Sequence, residues 1–485
     1  MLPLYAIVAF ASISYLIYHY ILTPLLFSPL SKIPSAHWSA PISARWINNL
    51  RLDGKTGIAA TLSAHNRLGP IVRLSPDEIS VASLDGLRKI YSGGFEKDPS
   101  YLEEFTNYHG TVNLVSMLGN KEHGMQKRMI SHVYSNSYIQ SSTDVRKLSE
   151  ILVERLLNVL KEDEGKEFDA YGMNQSIGAD FMSGYIFGSG NATNFMRDPQ
   201  MRKRFMDGWK AKFKHLPDEE EQTEMIESFV MDMCRGAAKT KEEGFESETH
   251  PVVYSQFSSK LSNSASPPAN KDLTLASEMF DQFIASIETS RVALTYVEWE
   301  LSQRPKLQQD LRKELLTLSP PILIGGTTLP DPKAIDALPL LNAILKEVLR
   351  LYPPSPAILT RVTPPAGTTI EGYFIPGHMV VGTSPQCMQQ NPSVYPEPQK
   401  FNPKRWLDKD EEKRKEMNRW FWVFGSGGRM CIGSHYALYM LKLSIAVIYS
   451  NFETEIVDDE GIEQEDAFLA GPVGDKLVLR FRAVK

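Results

Sequence analysis

Hydrophobic side chains fill the first twenty-seven residues almost without interruption, and the pattern then changes for the rest of the chain. No Lys, Arg, Asp or Glu precedes Lys32. Leu4 to Phe27 is mostly apolar, with Tyr5, Tyr15, Tyr18 and Tyr20 spread through it. A run of that length crosses a bilayer as a helix. A cleavable signal peptide is the rival reading, but the positive leading region is missing and the apolar run is too long. Lys32, Arg45 and Arg51 follow the run, and positive flanks stay on the cytosolic side. The expectation is an uncleaved membrane anchor over residues 1–31, its amino end in the lumen, and one large cytosolic domain over residues 32–485. Pro24, Pro29 and Pro34 mark a stiff connector between them.

Beyond the connector, short alternating runs give way to helical spacing. Ile71 to Leu74 and Ile79 to Ala82 flank Ser75-Pro-Asp-Glu78, which predicts strand, turn and strand. The apolar period becomes helical at Lys121 to Tyr134 and again at Val145 to Lys161. Met201 to Thr240 is charged and helical in flavour. Ser255 to Asn270 is rich in Ser, Pro and Asn and predicts a loop. A long helix follows from about Leu275 to Gln303, ended by Pro305, and another from about Leu340 to Leu351, stopped by Pro353-Pro354. Ile370 to Thr383, with Gly372 and Pro376-Gly377, predicts a small β-hairpin. Ser434 to Tyr449 is strongly apolar and predicts a buried helix.

Composition narrows the class. The 485 residues are 42% hydrophobic and 23% charged, ample for a large core, and a net charge of -6 gives no footprint for nucleic acid. The three cysteines, Cys234, Cys387 and Cys431, are too few and too odd for a disulfide framework and suit a reducing compartment. Asn174-Gln-Ser and Asn191-Ala-Thr match the glycosylation sequon, but a cytosolic domain never meets the transferase, so both read as chance matches.

The chemistry concentrates before the last helix, in Phe424-Gly-Ser-Gly-Gly-Arg-Met-Cys-Ile-Gly433. Gly425, Gly427, Gly428 and Gly433 allow a tight backbone that approaches a flat group without Cβ clashes. Arg429 places a permanent cation two residues before the sulfur of Cys431. A lone cysteine in a glycine-rich turn is ordinarily structural. Phe424, Gly427, Arg429, Cys431 and Gly433 at F-x-x-G-x-R-x-C-x-G spacing are not ordinary, and Ala437 extends the pattern. Here the chain resembles the cytochrome P-450 family of haem-thiolate monooxygenases, in texture its membrane-anchored fungal members of specialised metabolism.

The resemblance implies a mainly α fold, with one large helical domain, small β-sheets and a preceding transmembrane helix. It implies haem (iron protoporphyrin IX) with Cys431 as axial thiolate, and sulfur donation favours O–O cleavage. Glu347 and Arg350 share a helix face, and with Arg405 of Phe401-Asn-Pro-Lys-Arg-Trp406 they match the family's buried charge triad. On the long helix, Ala285, Glu288, Thr289 and Ser290 match the acid–alcohol motif over the distal haem face. There the alcohol holds dioxygen and the carboxylate relays protons. Read alone, the pair is a solvated Glu and a Thr bonded back to a carbonyl. Ser286 stands where Gly is usual, which puts the hydrogen bonding of the oxygen site in question. His123, Lys127 and Arg361 fall where family members contact haem propionates, with His for Trp and Lys for Arg; a solvated basic patch is the rival for the first two.

The implied activity is insertion of one oxygen atom from O2 into a hydrophobic small molecule, in the endoplasmic reticulum membrane, with electrons from an NADPH-cytochrome P-450 reductase. The pocket would be lined by parts of Tyr101–Leu118, Phe280–Ser286, Ala357–Thr360 and Phe468–Val473. Two alternatives stay open: a reductase-independent haem-thiolate isomerase or dehydratase, and a non-catalytic haem sensor or carrier.

Overall fold

The computed structural model describes residues 4–243, 249–264, 268–326 and 328–484. The amino-terminal apolar run forms helix α1 (Leu4–Ile17), which widens into a π-helical stretch at Tyr18–Phe27. Together they make a 24-residue rod whose most apolar stretch has mean hydropathy 1.6 and no buried residue. Wide pitch at the end of the rod coincides with Pro24, which has no N–H to give the preceding turn.

The domain is a stack of helices: α2 (Asn120–Ile130), α3 (Thr143–Glu162), α4 (Ala170–Phe187), α5 (Pro199–Phe213), α6 (Glu219–Glu243), α7 (Val252–Ser262), α8 (Lys271–Ser302), α9 (Pro339–Leu351) and α10 (Ser434–Asn451), joined by shorter ones. Helix α8 is the axle. Asn270 caps it by accepting from the amide of Leu273 at 3.1 Å, and Asp272 sits in the first turn against the helix dipole. Apolar residues surround most of its length, so it packs α4 on one side and α9 and α10 on others. The α4–α8 crossing depends on Gly178, where a Cβ would stand 3.1 Å from the Cα of Ile287.

Three small sheets frame the bundle. The largest has strand order β1 (Ile71–Arg73), β2 (Glu78–Val81), β8 (Val380–Gly382), β5 (Arg361–Val362), β3 (Glu96–Lys97). Within it β2 and β8 run parallel, with Glu78 opposite Val380, and β5 is antiparallel to both its neighbours. A second sheet joins β4 (Phe168–Asp169), β10 (Val478–Ala483) and β9 (Phe452–Asp458). The third is the hairpin of β6 (Thr368–Ile370) and β7 (Tyr373–Ile375).

The mainly helical class, the long helix, the helix before Pro353 and the last buried helix agree with the sequence reading. Two expectations change. The stretch expected as a loop from Ser255 is helical through Ser262 in α7. Val253, Phe257 and Leu261 bury one face of it, and the Ser262 hydroxyl folds back onto the Ser258 carbonyl at 2.8 Å. Of that stretch, 265–267 lie outside the described residues. The expected hairpin from Ile370 to Thr383 is two things: β6–β7 turns back at Glu371-Gly372, while β8 leaves to join the large sheet.

Residues on either side of 32 pack against the domain. Pro29–Lys32 forms a 3₁₀ turn, and Leu30 and Ile33 pack into the core with Ile58, Ile79 and Ile370. A truncation ending at Phe27 is expected to fold and leave the membrane fraction. One ending at Ile33 removes two buried aliphatic side chains, each worth about 2–5 kcal/mol. It should melt several degrees lower in differential scanning calorimetry. Equal melting temperatures would place residues 28–33 outside the folded unit.

Candidate active site

The Cys431 loop is built by close contacts on one side and openness on the other. The amide of Cys431 donates to the Phe424 carbonyl at 2.9 Å, which closes the loop. Gly425 and Gly427 both take φ of +68°. At Gly427 a Cβ would also stand 2.3 Å from the Tyr91 carbonyl oxygen, so no larger residue fits. Gly433 is different, because a Cβ there would meet no protein atom within 4 Å. Cys431 is exposed, whereas Cys234 and Cys387 are buried. Burial of its surroundings raises the Cys431 thiol, while the amides of Gly433 and Ser434 and the Lys127 ammonium pull it down. Lys127 donates to the carbonyls of Gly428 at 3.0 Å and Met430 at 2.6 Å, so its charge is fastened to the loop.

Behind the loop sits a buried carboxylate with five donors. Glu347 accepts from Arg350 through two bonds of 2.9 Å, from Arg405 Nε, the Asn402 amide and Trp406 Nε1, each at 2.9 Å. Both side chains of the Glu347–Arg350 pair are fully buried. Arg350 also reaches the carbonyls of Pro398 at 2.7 Å and Gln389 at 3.1 Å. Gln389 in turn accepts from the Trp422 amide at 2.8 Å, and Trp422 Nε1 donates to Ser426 at 2.9 Å. A continuous set of bonds therefore runs from the triad to the cysteine loop.

On the other side of the loop, basic side chains gather with no acid in ion-pair contact among the described residues, though Glu96, Glu122 and Asp281 act on them from farther off. Arg361 and Lys97 are neighbours across the β3–β5 pairing, with Arg361 over the Tyr91 ring at 5.0 Å and Lys97 over Tyr101 at 4.4 Å. Arg429 donates to Asn120 Oδ1 at 3.2 Å and to the carbonyls of Met117 and Leu118. His123 is buried beside them. Burial, and then the charges of Arg429, Lys97, Lys127 and Arg361, push its imidazole down to about 3. Burial and Arg361 likewise bring Arg429 down to about 10. Burial and the two arginines put Lys97 well below its ordinary value. None of the four forms an ion pair among the described residues. Such a group calls for an anion.

Along α8 the accessible positions repeat every fourth residue. Ala285 is exposed in the middle of an otherwise buried helix, and Asp281 and Thr289, one turn either side, are half-buried. The Thr289 hydroxyl donates to the Ala285 carbonyl at 2.8 Å. Ser286 turns away from that stripe, and its hydroxyl faces the Gly178 carbonyl on α4 at 3.5 Å, so it does not crowd the accessible face. Ser290 is buried with an unpartnered hydroxyl. Glu288 is also buried. Its Oε2 accepts from Arg291 at 2.6 Å and its Oε1 has no partner. Burial, and then the nearby Asp475 and Glu465, push Glu288 up to about 8, with the Lys214 ammonium opposing that rise. Arg291 leads outward to Asp475, 3.9 Å away, which also accepts from Tyr171 at 3.0 Å and Lys210 at 2.9 Å.

A haem fits these residues on three observations of the structure. An exposed thiol stands at the end of a helix loop, the Gly433 side of the loop is clear of protein, and four basic side chains lack carboxylates where propionates would lie. Cys431, Phe424, Gly427 and Gly433 fall in the loop itself. Arg429, Arg361 and His123 fall together, and Lys127 is directed to the loop. The sequence reading missed Lys97, since a single lysine in a two-residue strand carries no motif. It also missed Phe213 of α5, which stacks toward Phe105 at 6.4 Å beside Phe468 at 5.3 Å. Both sequons are engaged internally. Asn174 is fully buried and donates to Glu298 at 2.8 Å, and Asn191 donates to Thr240 at 2.9 Å.

Comparison with known proteins gives the same picture. The family model described as Cytochrome P450 matches residues 46–479. Cytochrome P450 monooxygenase avaI of Aspergillus versicolor is 27% identical over 78% of this chain and 93% of that protein. Cytochrome P450 monooxygenase stcB of Emericella nidulans is 26% identical over 93% of this chain and 88% of its own length. Cytochrome P450 monooxygenase aflV of Aspergillus parasiticus is 25% identical over 93% and 91%.

Two outcomes follow from the geometry. Glu347→Gln leaves Arg350 and Arg405 buried against a neutral amide, which costs about 3–5 kcal/mol. Thermal unfolding should come well below that of the parent, with haem content falling in parallel; an unchanged melting temperature would count against the hub. Lys97→Met removes one of the cations that would face the propionates of a bound haem. Haem transfer to an acceptor protein should then run about tenfold faster, since loss of a partly buried charge-assisted bond is worth about 1.5–3 kcal/mol.

Proposed function

The chain belongs to the cytochrome P450 family and is a haem-dependent monooxygenase, and from that premise we propose how its own residues serve the reaction. We infer that it inserts one oxygen atom of O2 into a hydrophobic small molecule in secondary-metabolite biosynthesis. The observation that carries the reading is the exposed Cys431 thiol set between the clustered cations and the accessible stripe of α8. Cys431 would hold the haem iron, and Lys97, His123, Arg361 and Arg429 would hold its propionates. When bound, a thiolate-ligated haem supplies the oxygen chemistry, using two electrons and releasing the second oxygen atom as water.

The chain's part is to position, to exclude solvent and to move protons. Water formation consumes two protons, and the stripe has few donors that reach it. Thr289 has hydroxyl lone pairs free while its proton stays on the Ala285 carbonyl. Glu288, the adjacent residue, carries a proton at neutral pH because burial dominates its titration. Its unpartnered Oε1 leaves one carboxyl oxygen free to hand that proton on, and Arg291 with Asp475 connects it to the surface for reloading. Electrons come from an NADPH-dependent reductase. The uncharged rod of residues 4–27 supports single-pass anchoring in the endoplasmic reticulum membrane, with residues 32–485 in the cytosol.

The test is a reconstituted system with reductase and a substrate identified by comparing extracts of parent and deletion strains. NADPH consumption should require both reductase and substrate, and consumption independent of either overturns the reading. Thr289→Ala should lower the ratio of product to NADPH about tenfold or more and divert oxygen to hydrogen peroxide. A donor must be protonated, so coupling in the parent should hold below about pH 8 and fall as Glu288 loses its proton above it. Glu288→Gln should couple poorly throughout and lack that alkaline fall. An identical pH profile in the two proteins removes Glu288 from the proton path.

A further inference from the structure

Helix α8 carries four buried or half-buried acids besides Glu288, and three of them have visible work. Glu278 receives the Leu114 amide at 3.0 Å, Gln126 at 2.7 Å and Gln282 at 2.7 Å, which pins the 107–118 loop and α2 to the helix. Glu298 holds Asn174, and Glu300 holds Arg304 and Tyr352. Asp281 is the exception. It makes no hydrogen bond and no ion pair among the described residues.

Its place on the helix gives it a use. Ser277, Asp281, Ala285 and Thr289 lie four apart and share one face. Ser277 donates to the Thr111 carbonyl at 3.0 Å, so the face begins beneath the 107–118 loop. It then opens: Asp281 is half-buried, Ala285 exposed and Thr289 half-buried, while Phe280, Phe283, Ile284 and Ile287 on the other faces are buried. An unpartnered carboxyl therefore stands on the same open stripe as Thr289, two turns away. Lys97, whose charge acts on Asp281, lies over the Tyr101 ring, and further rings lead on from there. Tyr101 and Phe105 lie 5.7 Å apart, and Phe105 touches Phe213 and Phe468. Lys97 attracts Asp281 from a distance but keeps its ammonium on the Val115 carbonyl and the Tyr101 face.

We propose that Asp281 is the polar anchor of the substrate pocket and selects hydrophobic substrates that carry a basic nitrogen. The proposal rests on the monooxygenase reading of the α8 stripe and deepens it by naming a substrate class. An ammonium group is the ligand that suits both an unpaired half-buried carboxyl and the π-faces beyond Lys97. Burial raises the unliganded carboxyl well above its ordinary value, with Glu278 adding to the effect and Lys97 opposing it. A free amine entering the pocket takes the proton of the neutral carboxyl, and an ammonium pairs with the ionised one. Either route ends in the same ion pair. With the nitrogen at Asp281, the carbon skeleton extends along Ala285 toward Thr289, so oxidation falls on a carbon removed from the nitrogen by about two helical turns, roughly 12 Å.

The experiment uses the full-length holoenzyme and a matched pair of probes: N,N-dimethyl-4-phenylbutylamine and its carbon isostere (5-methylhexyl)benzene. Affinity is read by equilibrium dialysis, which needs no turnover. The parent should bind the amine at least tenfold more tightly than the hydrocarbon. Asp281→Asn should erase that preference without weakening the hydrocarbon, and Asp281→Glu should keep part of it. The reduced carbon-monoxide spectrum is recorded for each variant. A thiolate-type spectrum with equal affinities in the parent overturns the Asp281 proposal alone. So does an amine preference that survives in Asp281→Asn. Loss of the thiolate-type spectrum in the parent overturns the haem-thiolate reading itself.

Discussion

The structure depends on one carboxylate sealed away from water. Glu347 is tolerated in the core only because five N–H groups converge on it, two from Arg350 on α9 and three from Asn402, Arg405 and Trp406, and Arg350 is tied in turn through Gln389 and Trp422 to the cysteine loop. Pairing of this kind adds little net stability over a well-packed apolar core. Its value is geometric. A hydrogen bond to a buried ion tolerates little misplacement, so the loop bearing Cys431 is held in register with a helix some eighty residues earlier. The thiol is then presented at one height and one angle, which a loop of four glycines and one serine would not achieve by itself.

The same logic runs in reverse at the cation cluster. There Lys97, His123, Arg361 and Arg429 are brought together without compensation, at a cost that the folded chain cannot recover from its own side chains. A triad satisfied by the protein and a cluster left for a ligand stand on two sides of one loop. That contrast separates scaffold from site more clearly than either feature does alone.

The cysteine loop was legible in the sequence because its residue types are individually rare at that spacing and all local. Glu347 and Arg350 were legible for the same reason, and Arg405 because Trp406 follows it. The propionate side was only half legible. Arg429 and Arg361 sit at recognisable offsets, but Lys97 comes to them by strand pairing between β3 and β5, which no local pattern encodes. Helix α4 had no periodicity to read, since it is buried on every side. In α7 the serines suggested a loop, and the four-residue spacing of Val253, Phe257 and Leu261 was the stronger fact. Ser286 posed a question that only the crossing with α4 answers, since a hydroxyl that faces Gly178 cannot also face the accessible stripe. Asp281 looked like any polar residue on a long helix. What distinguishes it is the lack of a partner, and a missing contact leaves no trace in a sequence.

Arg73 links the rod to the domain. Its guanidinium is almost wholly buried and forms no ion pair among the described residues; it is satisfied by the carbonyls of Ser75, Pro41 and Pro76, and by that of Pro24 at 3.2 Å within the rod itself. A flexible tether would let a domain of this size roll freely over a lipid surface. A rod pinned by a buried cation acts instead as a mast set in a keel. With the rod set in a bilayer, that pinning would limit the roll, keep one flank of the domain toward the lipid, and turn the arrival of greasy molecules from a search over all orientations into a search in a plane.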